Sequence, residues 1–157
     1  MNDTKPKSEG SILVIDDEIN ELKAMIIGMK LEGFDVLGVS SCTEAMDALD
    51  RQSFDAALID LMMPEMNGLQ LARAIRESHP EVRTILMSAY HLSPIQLARA
   101  ETGAVGFVPK PFRFEELVGF VRAKIGARTS AAEVFATRPS TDASGLHLPF
   151  DVPDSPC

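Results

Sequence analysis

The chain has 157 residues, 23 acidic against 15 basic, and a net charge of −8. That length suits one domain of ordinary size with some sequence to spare, and 45% hydrophobic residues can fill its core. An acidic balance counts against a surface that replaces phosphate counterions, so no direct DNA binding is expected, and no apolar run nears the roughly 18 residues of a membrane span.

The first ten residues, MNDTKPKSEG, are polar, lack the apolar centre of a signal peptide and read as a flexible arm. Ile12–Ile15 is a continuous apolar run that reads as a strand buried on both faces. Ile19, Leu22, Ile26 and Met29 then recur at helical spacing, and Gly33 stands where a helix would stop. Asp35–Val39 reads as a second strand. Ser41-Cys42-Thr43-Glu44 fits a capping box that opens a helix over Ala45–Arg51. Ala56–Ile59 is the third strand, and Asn67 can cap a helix over Leu69–Glu77 that His79-Pro80 ends. Arg83–Met87 is the fourth strand. Ser93-Pro94 starts a shorter helix reaching about Glu101, with proline at its first position. Val105–Val108 is the fifth strand, and Phe114, Leu117, Val118 and Val121 give the last helix one apolar face.

Five strand–helix units in alternation predict an α/β domain over residues 11–126. It is a doubly wound parallel sheet with helices on both faces and right-handed crossovers. From residue 127 to residue 157 proline, serine and threonine accumulate without a sustained period, which reads as a flexible tail. Its apolar cluster Leu146-His147-Leu148-Pro149-Phe150 gives a second reading, a docking peptide. The two cysteines, Cys42 and Cys157, form neither a CxxC pair nor a metal-type spacing, and a reducing cytoplasm is the simplest setting.

The chemistry-bearing residues fall at one end of these strands. In an open parallel sheet ligands bind at the carboxyl ends, near the point where strand order reverses. Asp16 and Asp17 close the first strand, Asp60 the third, Ser88 the fourth and Lys110 the fifth. Three carboxylates in one pocket repel each other, so the array needs a counter-charge. A hard divalent cation with oxygen ligands supplies it, and Mg²⁺ accepts a few carboxylates while keeping several waters. A metal, a lysine and a small hydroxyl together suit the oxygens of a transferring phosphoryl group, which a carboxylate can itself accept.

The stretches LVIDDE at 13–18, DLMMPEMNG at 60–68, SAY at 88–90 and FVPKPF at 107–112 carry a family resemblance. Residues 11–125 resemble the receiver domain of two-component response regulators, of the chemotaxis-regulator type. The resemblance implies a flavodoxin-like sheet of order 2-1-3-4-5. It makes Asp60 the phosphoacceptor, supplied by a sensor histidine kinase or a histidine phosphotransfer protein. It also makes Asp17 a direct Mg²⁺ ligand, with Asp16 acting through water and with Asp60 and the backbone carbonyl of Met62 completing the metal shell. Ser88 would hydrogen-bond one phosphoryl oxygen and Lys110 would pair with another, next to a cis Lys110-Pro111 bond. Phe107 would be the aromatic switch that follows Ser88. Ser88 replaces the commoner threonine and keeps the hydroxyl, Phe107 replaces the frequent tyrosine and keeps the ring but not the phenolic hydrogen bond, and Asn67 replaces a common aspartate that could equally cap a helix.

The chain ends without a DNA-binding domain and is acidic overall, so the expectation is a stand-alone, phosphorylation-switched module. It catalyses its own phosphorylation and signals to a downstream protein through the face over Ser93–Ile125, with room for a phosphorylation-dependent dimer. Bulky Met62 and Tyr90 would flank the path of a hydrolytic water and slow the loss of phosphate. Two other readings compete. A Mg²⁺-dependent aspartyl-phosphate phosphohydrolase would usually place an acid two residues after its nucleophile, where Met62 stands, and a non-phosphorylated adaptor would use the fold alone.

Overall fold

The computed structural model describes residues 8–63, 66–89, 93, 95 and 103–126. Most of the helix expected from Ser93-Pro94 to about Glu101, Tyr90, most of the N-terminal arm and the whole of the tail after residue 126 lie outside the described residues.

Five strands form one parallel sheet: β1 (Ser11–Ile15), β2 (Asp35–Val39), β3 (Ala56–Asp60), β4 (Arg83–Ser88) and β5 (Gly106–Pro109). Their order is β2-β1-β3-β4-β5, so the doubly wound, flavodoxin-like order 2-1-3-4-5 is the one observed. Four helices are described among them: α1 (Ile19–Leu31), α2 (Cys42–Arg51), α3 (Gly68–Ser78) and α4 (Phe114–Gly126). A two-residue antiparallel ribbon, Met62–Met63 with Met66–Asn67, joins β3 to α3.

The apolar runs are continuous because both faces of the sheet are covered. Leu13 and Ile15 of β1, Ala57 and Ile59 of β3, Leu86 of β4 and Phe107 of β5 pack with α2 and α3. Their alternates Ile12, Val14, Ala56, Leu58, Ile85, Met87 and Val108 pack with α1 and α4. The two-residue period of a strand thus sorts one run into two cores. β2 lies at the sheet edge, where Leu37 stays 37% exposed, and its sequence is correspondingly less apolar.

Local chemistry sets the helix ends. The Glu18 carboxylate accepts hydrogen bonds from the Asn20 and Glu21 amides at 3.2 and 3.1 Å and caps α1. Gly33, at φ +99°, follows α1 in a conformation that side chains with a Cβ rarely adopt. Ser41 accepts from the Glu44 amide at 3.1 Å, while the Glu44 carboxylate reaches the Ser40 amide at 3.2 Å. The capping box is present, shifted by one residue in its return bond. The buried side of α1 is Leu22, Met25 and Met29; Ile19 is 48% exposed, so the buried stripe starts one turn later than its spacing implies.

Candidate functional site

Between β1 and β3 the chain reverses direction across the sheet, leaving a crevice at the carboxyl ends of both strands. Asp16 follows β1, its amide donating to the Val39 carbonyl at 3.1 Å, and Asp60 is the last residue of β3. Ser88 ends β4, and its carbonyl accepts from the Lys110 amide at 2.7 Å, which holds the residue after β5 beside it. Asp16, Asp60 and Ser88 are all buried. The Lys110-Pro111 bond is cis, as expected.

The Lys110 ammonium stands at the centre of this rim, with Nζ 3.1 Å from Asp60 Oδ2 and 3.1 Å from Glu21 Oε2. The other Asp60 oxygen, Oδ1, accepts from the Met62 amide at 2.9 Å. Asp60 is therefore held at both oxygens, one by a charge and one by the backbone. Gly68 makes room for this turn: a Cβ there would come within 3.0 Å of the Asp60 carbonyl and 2.8 Å of Leu61 Cδ2. Asp16 accepts the Glu18 amide at 2.9 Å and so ties the acid to the start of α1.

Carboxylate oxygens of Asp16, Glu21 and Asp60 all lie within 4.8 Å of one another. Burial pushes the Asp16 carboxyl up to about 7 against the hydrogen bond from Glu18, and the neighbouring Asp60 charge adds to the rise. Lys110 loses hydration on burial, yet the charge of Asp60 and its hydrogen bonds to Asp60 and Glu21 outweigh this and raise its pKa. The hydrogen bond from Lys110 in turn holds the Glu21 carboxyl below its ordinary range. Oxygen donors alone, clustered this closely around a carboxyl that resists ionisation, fit a hard divalent cation, whose charge would offset that resistance.

Asp16, Asp60, Ser88 and Lys110 thus share the rim that their positions in the sequence indicated. Asp17 is half-buried next to Asp16 but is not part of the three-carboxylate cluster. Met62 lies in the short ribbon and exposes 37% of its surface. Phe107 is fully buried on the α2–α3 side of the sheet. Glu21 was not anticipated. In the sequence it is an ordinary acid in the first turn of a helix, where acids are common, and only its register on α1 brings it to Lys110. Beside these groups opens a cleft of about 530 Å³ with Asp16, Glu21 and Lys110 on its polar side and Met25, Met87 and Phe112 on its apolar side.

The fold is thus a doubly wound α/β sheet that gathers three carboxylates and a lysine in a crevice at its strand ends. The sequence matches the response regulator receiver domain over residues 12–122, and the chain belongs to that family. Receiver domains accept phosphoryl groups rather than turning over substrate as ordinary enzymes do, and they bind Mg²⁺ at an acidic site. Among similar proteins, the transcriptional regulatory protein CpxR of Escherichia coli K12 is 35% identical over 113 residues, covering 71% of this chain and 47% of CpxR. The DNA-binding response regulator MtrA of Mycobacterium leprae is 33% identical over 114 residues, covering 73% of this chain and 50% of MtrA. The chain spans about half the length of these curated relatives. Among solved structures, the receiver domain of NarL from Mycobacterium tuberculosis superposes with a TM-score of 0.68 at 27% identity, covering 78% of this chain and all of that one. TrrA of Thermotoga maritima, solved in complex with Mg²⁺ and BeF, gives 0.65 at 29% identity, covering 73% and 97%.

These relatives correct one expectation. The absence of direct DNA binding was inferred from net charge and from where the chain ends, yet the similar proteins include DNA-binding and transcriptional response regulators. Net charge describes the surface of this stretch alone, so it carries no information about a DNA-contacting surface elsewhere in a longer protein. The stand-alone reading used the same two observations and loses their support. Among the described residues no helix is long and apolar enough to cross a membrane.

Proposed function

We propose that Asp60 accepts a phosphoryl group from a phosphohistidine and that Lys110 and Ser88 receive its oxygens. The observation that carries this reading is the pairing of Lys110 Nζ with Asp60 Oδ2 at 3.1 Å on a buried acidic rim. A carboxylate oxygen of Asp60 attacks phosphorus, the P–N bond to the donor imidazole breaks, and the imidazole keeps the electron pair. The transition state is loose, with charge on the equatorial oxygens, so positioning and electrostatics do most of the work. Lys110 exchanges its contact with the Asp60 carboxylate for one with a phosphoryl oxygen of the new ester. The Met62 amide keeps the Asp60 side chain from turning during attack.

Asp16 and Asp60, which lie in the carboxylate cluster, would hold Mg²⁺ together with Asp17 and the Met62 carbonyl, the two ligands that the family resemblance implies. Bound there, Mg²⁺ would offset the charge of the phosphoryl oxygens. Ser88 lies at the end of β4 and Phe107 in the adjoining strand, with Leu86 and Phe107 in register. Attraction of Ser88 to the phosphoryl group then biases how Phe107 packs, a local charge event acting on a core contact.

Incubation of the full chain with a small-molecule phosphodonor and Mg²⁺, followed by intact-mass measurement, tests the assignment. The wild type should gain one acid-labile phosphoryl group and Asp60→Asn none. Equal labelling of both proteins, or an acid-stable adduct, would contradict an acyl phosphate on Asp60.

A further inference from the structure

Lys110 serves two carboxylates at equal distance, yet their settings differ. Asp60 is almost fully buried, whereas the Glu21 side chain is 52% exposed and hangs from the first turn of α1 over the same ammonium. An exposed glutamate is free to turn into water, where its charge is well hydrated. That it instead pairs with Lys110, with an oxygen within 4.8 Å of carboxylate oxygens of Asp16 and Asp60, sets it against any anion that arrives at Asp60.

We propose that Glu21 is a positioning residue that restrains Lys110 in the unphosphorylated state and lowers the affinity of the site for a phosphoryl group. The inference rests on the phosphoacceptor reading above and deepens it. Before phosphorylation the two carboxylates together offset the lysine, and the ammonium is held between them. A phosphoryl group on Asp60 brings further negative oxygens to the same ammonium. Glu21 then either gives up its hydrogen bond or stands against the new charge, and both disfavour the loaded state. Asp16 faces the same space, but it is buried and anchored by the Glu18 amide, so Glu21 is the carboxylate able to move.

The test uses the full chain and the phosphoryl mimic beryllofluoride. Calorimetric titrations first measure Mg²⁺ alone, then beryllofluoride at saturating Mg²⁺, for wild type, Glu21→Gln and Asp60→Asn. Glutamine keeps the size and removes the charge, so Glu21→Gln should bind beryllofluoride roughly fivefold more tightly at low salt, as one partly solvated charge at this range implies. In about 0.5 M salt the gap should close, because screening removes a charge effect but not a packing effect. Equal affinity, or a gap that ignores salt, overturns the proposal. Weaker beryllofluoride and Mg²⁺ binding by Glu21→Gln also overturns it, since Glu21 would then be helping to hold the cation. If wild type takes up no beryllofluoride, or Asp60→Asn takes up as much, the phosphoacceptor reading fails and this inference with it. A wild type that binds with an unaltered Glu21→Gln defeats the inference alone.

Discussion

Asp16 shows how a single residue's setting becomes a measurable property. Its carboxyl is buried at the end of β1, close to Asp60, and is raised to about 7. In the metal-free protein the folded state therefore keeps a proton that the unfolded chain has released. From about pH 4 to pH 7 the folded state binds more protons, so stability falls as pH rises, then levels off. Asp16→Asn removes this slope. In buffer with a chelator the variant should melt above the wild type at about pH 8 and level with it near pH 4. Cation binding requires the carboxylate, so Mg²⁺ uptake by the wild type near neutral pH should release protons, measurable by titration in buffers of different ionisation enthalpy. Lys110 illustrates the complementary case. It keeps Glu21 as a partner when Asp60 is neutralised, so Asp60→Asn should retain the fold that its labelling test requires.

At the scale of elements, side chains at the strand and helix ends carry both fold and site. Ser41 accepts the Glu44 amide at the start of α2, and its replacement by alanine leaves a first-turn amide without that partner. Ser41→Ala should destabilise the domain by about 1 kcal/mol in urea unfolding, without altering labelling of Asp60. Hydrogen bonds from the Ser40 amide, and then the Ser40 and Ser41 hydroxyls, hold the Glu44 carboxyl below its ordinary value of 4.5. Its contribution is therefore full above that value and lost as pH falls through the depressed one, the opposite sign to Asp16. The Asn67 carbonyl oxygen accepts from the Leu69 and Gln70 amides at 3.1 and 3.2 Å, starting α3 directly after the ribbon that follows Asp60. Asparagine at that position does the work of the more usual aspartate without adding another charge near the crevice.

For the whole molecule, two apolar cores on either side of one sheet hold a charged crevice at its end. Carboxylates that repel each other there oppose folding, and a cation that binds only the folded arrangement removes that opposition. Mg²⁺ at about a hundred times its Kd should stabilise the wild type by about 2.7 kcal/mol, seen as a rise in melting temperature. Asp16→Asn and Asp60→Asn should lose most of that rise. Ca²⁺, which prefers more ligands and longer bonds, should stabilise less well than Mg²⁺ at equal concentration.

Hydrophobic patterning by itself placed the strands, while their order in the sheet came from the family resemblance. Ile12–Ile15, Ala56–Ile59 and Arg83–Met87 are short, nearly continuous apolar stretches, as parallel strands covered on both faces should be, and each lies within an observed strand. Strand ends also told where the chemistry would be, because Asp16, Asp60, Ser88 and Lys110 each stand where an apolar run stops. Only tertiary structure decided what surrounds them. Glu21 lies 89 residues before Lys110, and nothing local to either stretch marks them as partners. The exposure of Ile19 and the burial of Met25 were equally invisible, since periodicity gives the direction of a helix face but not where the neighbouring sheet begins to cover it. Short-range order follows from residue type and spacing; pairing across the fold depends on crossover length and helix register, which set distances that a linear pattern does not contain.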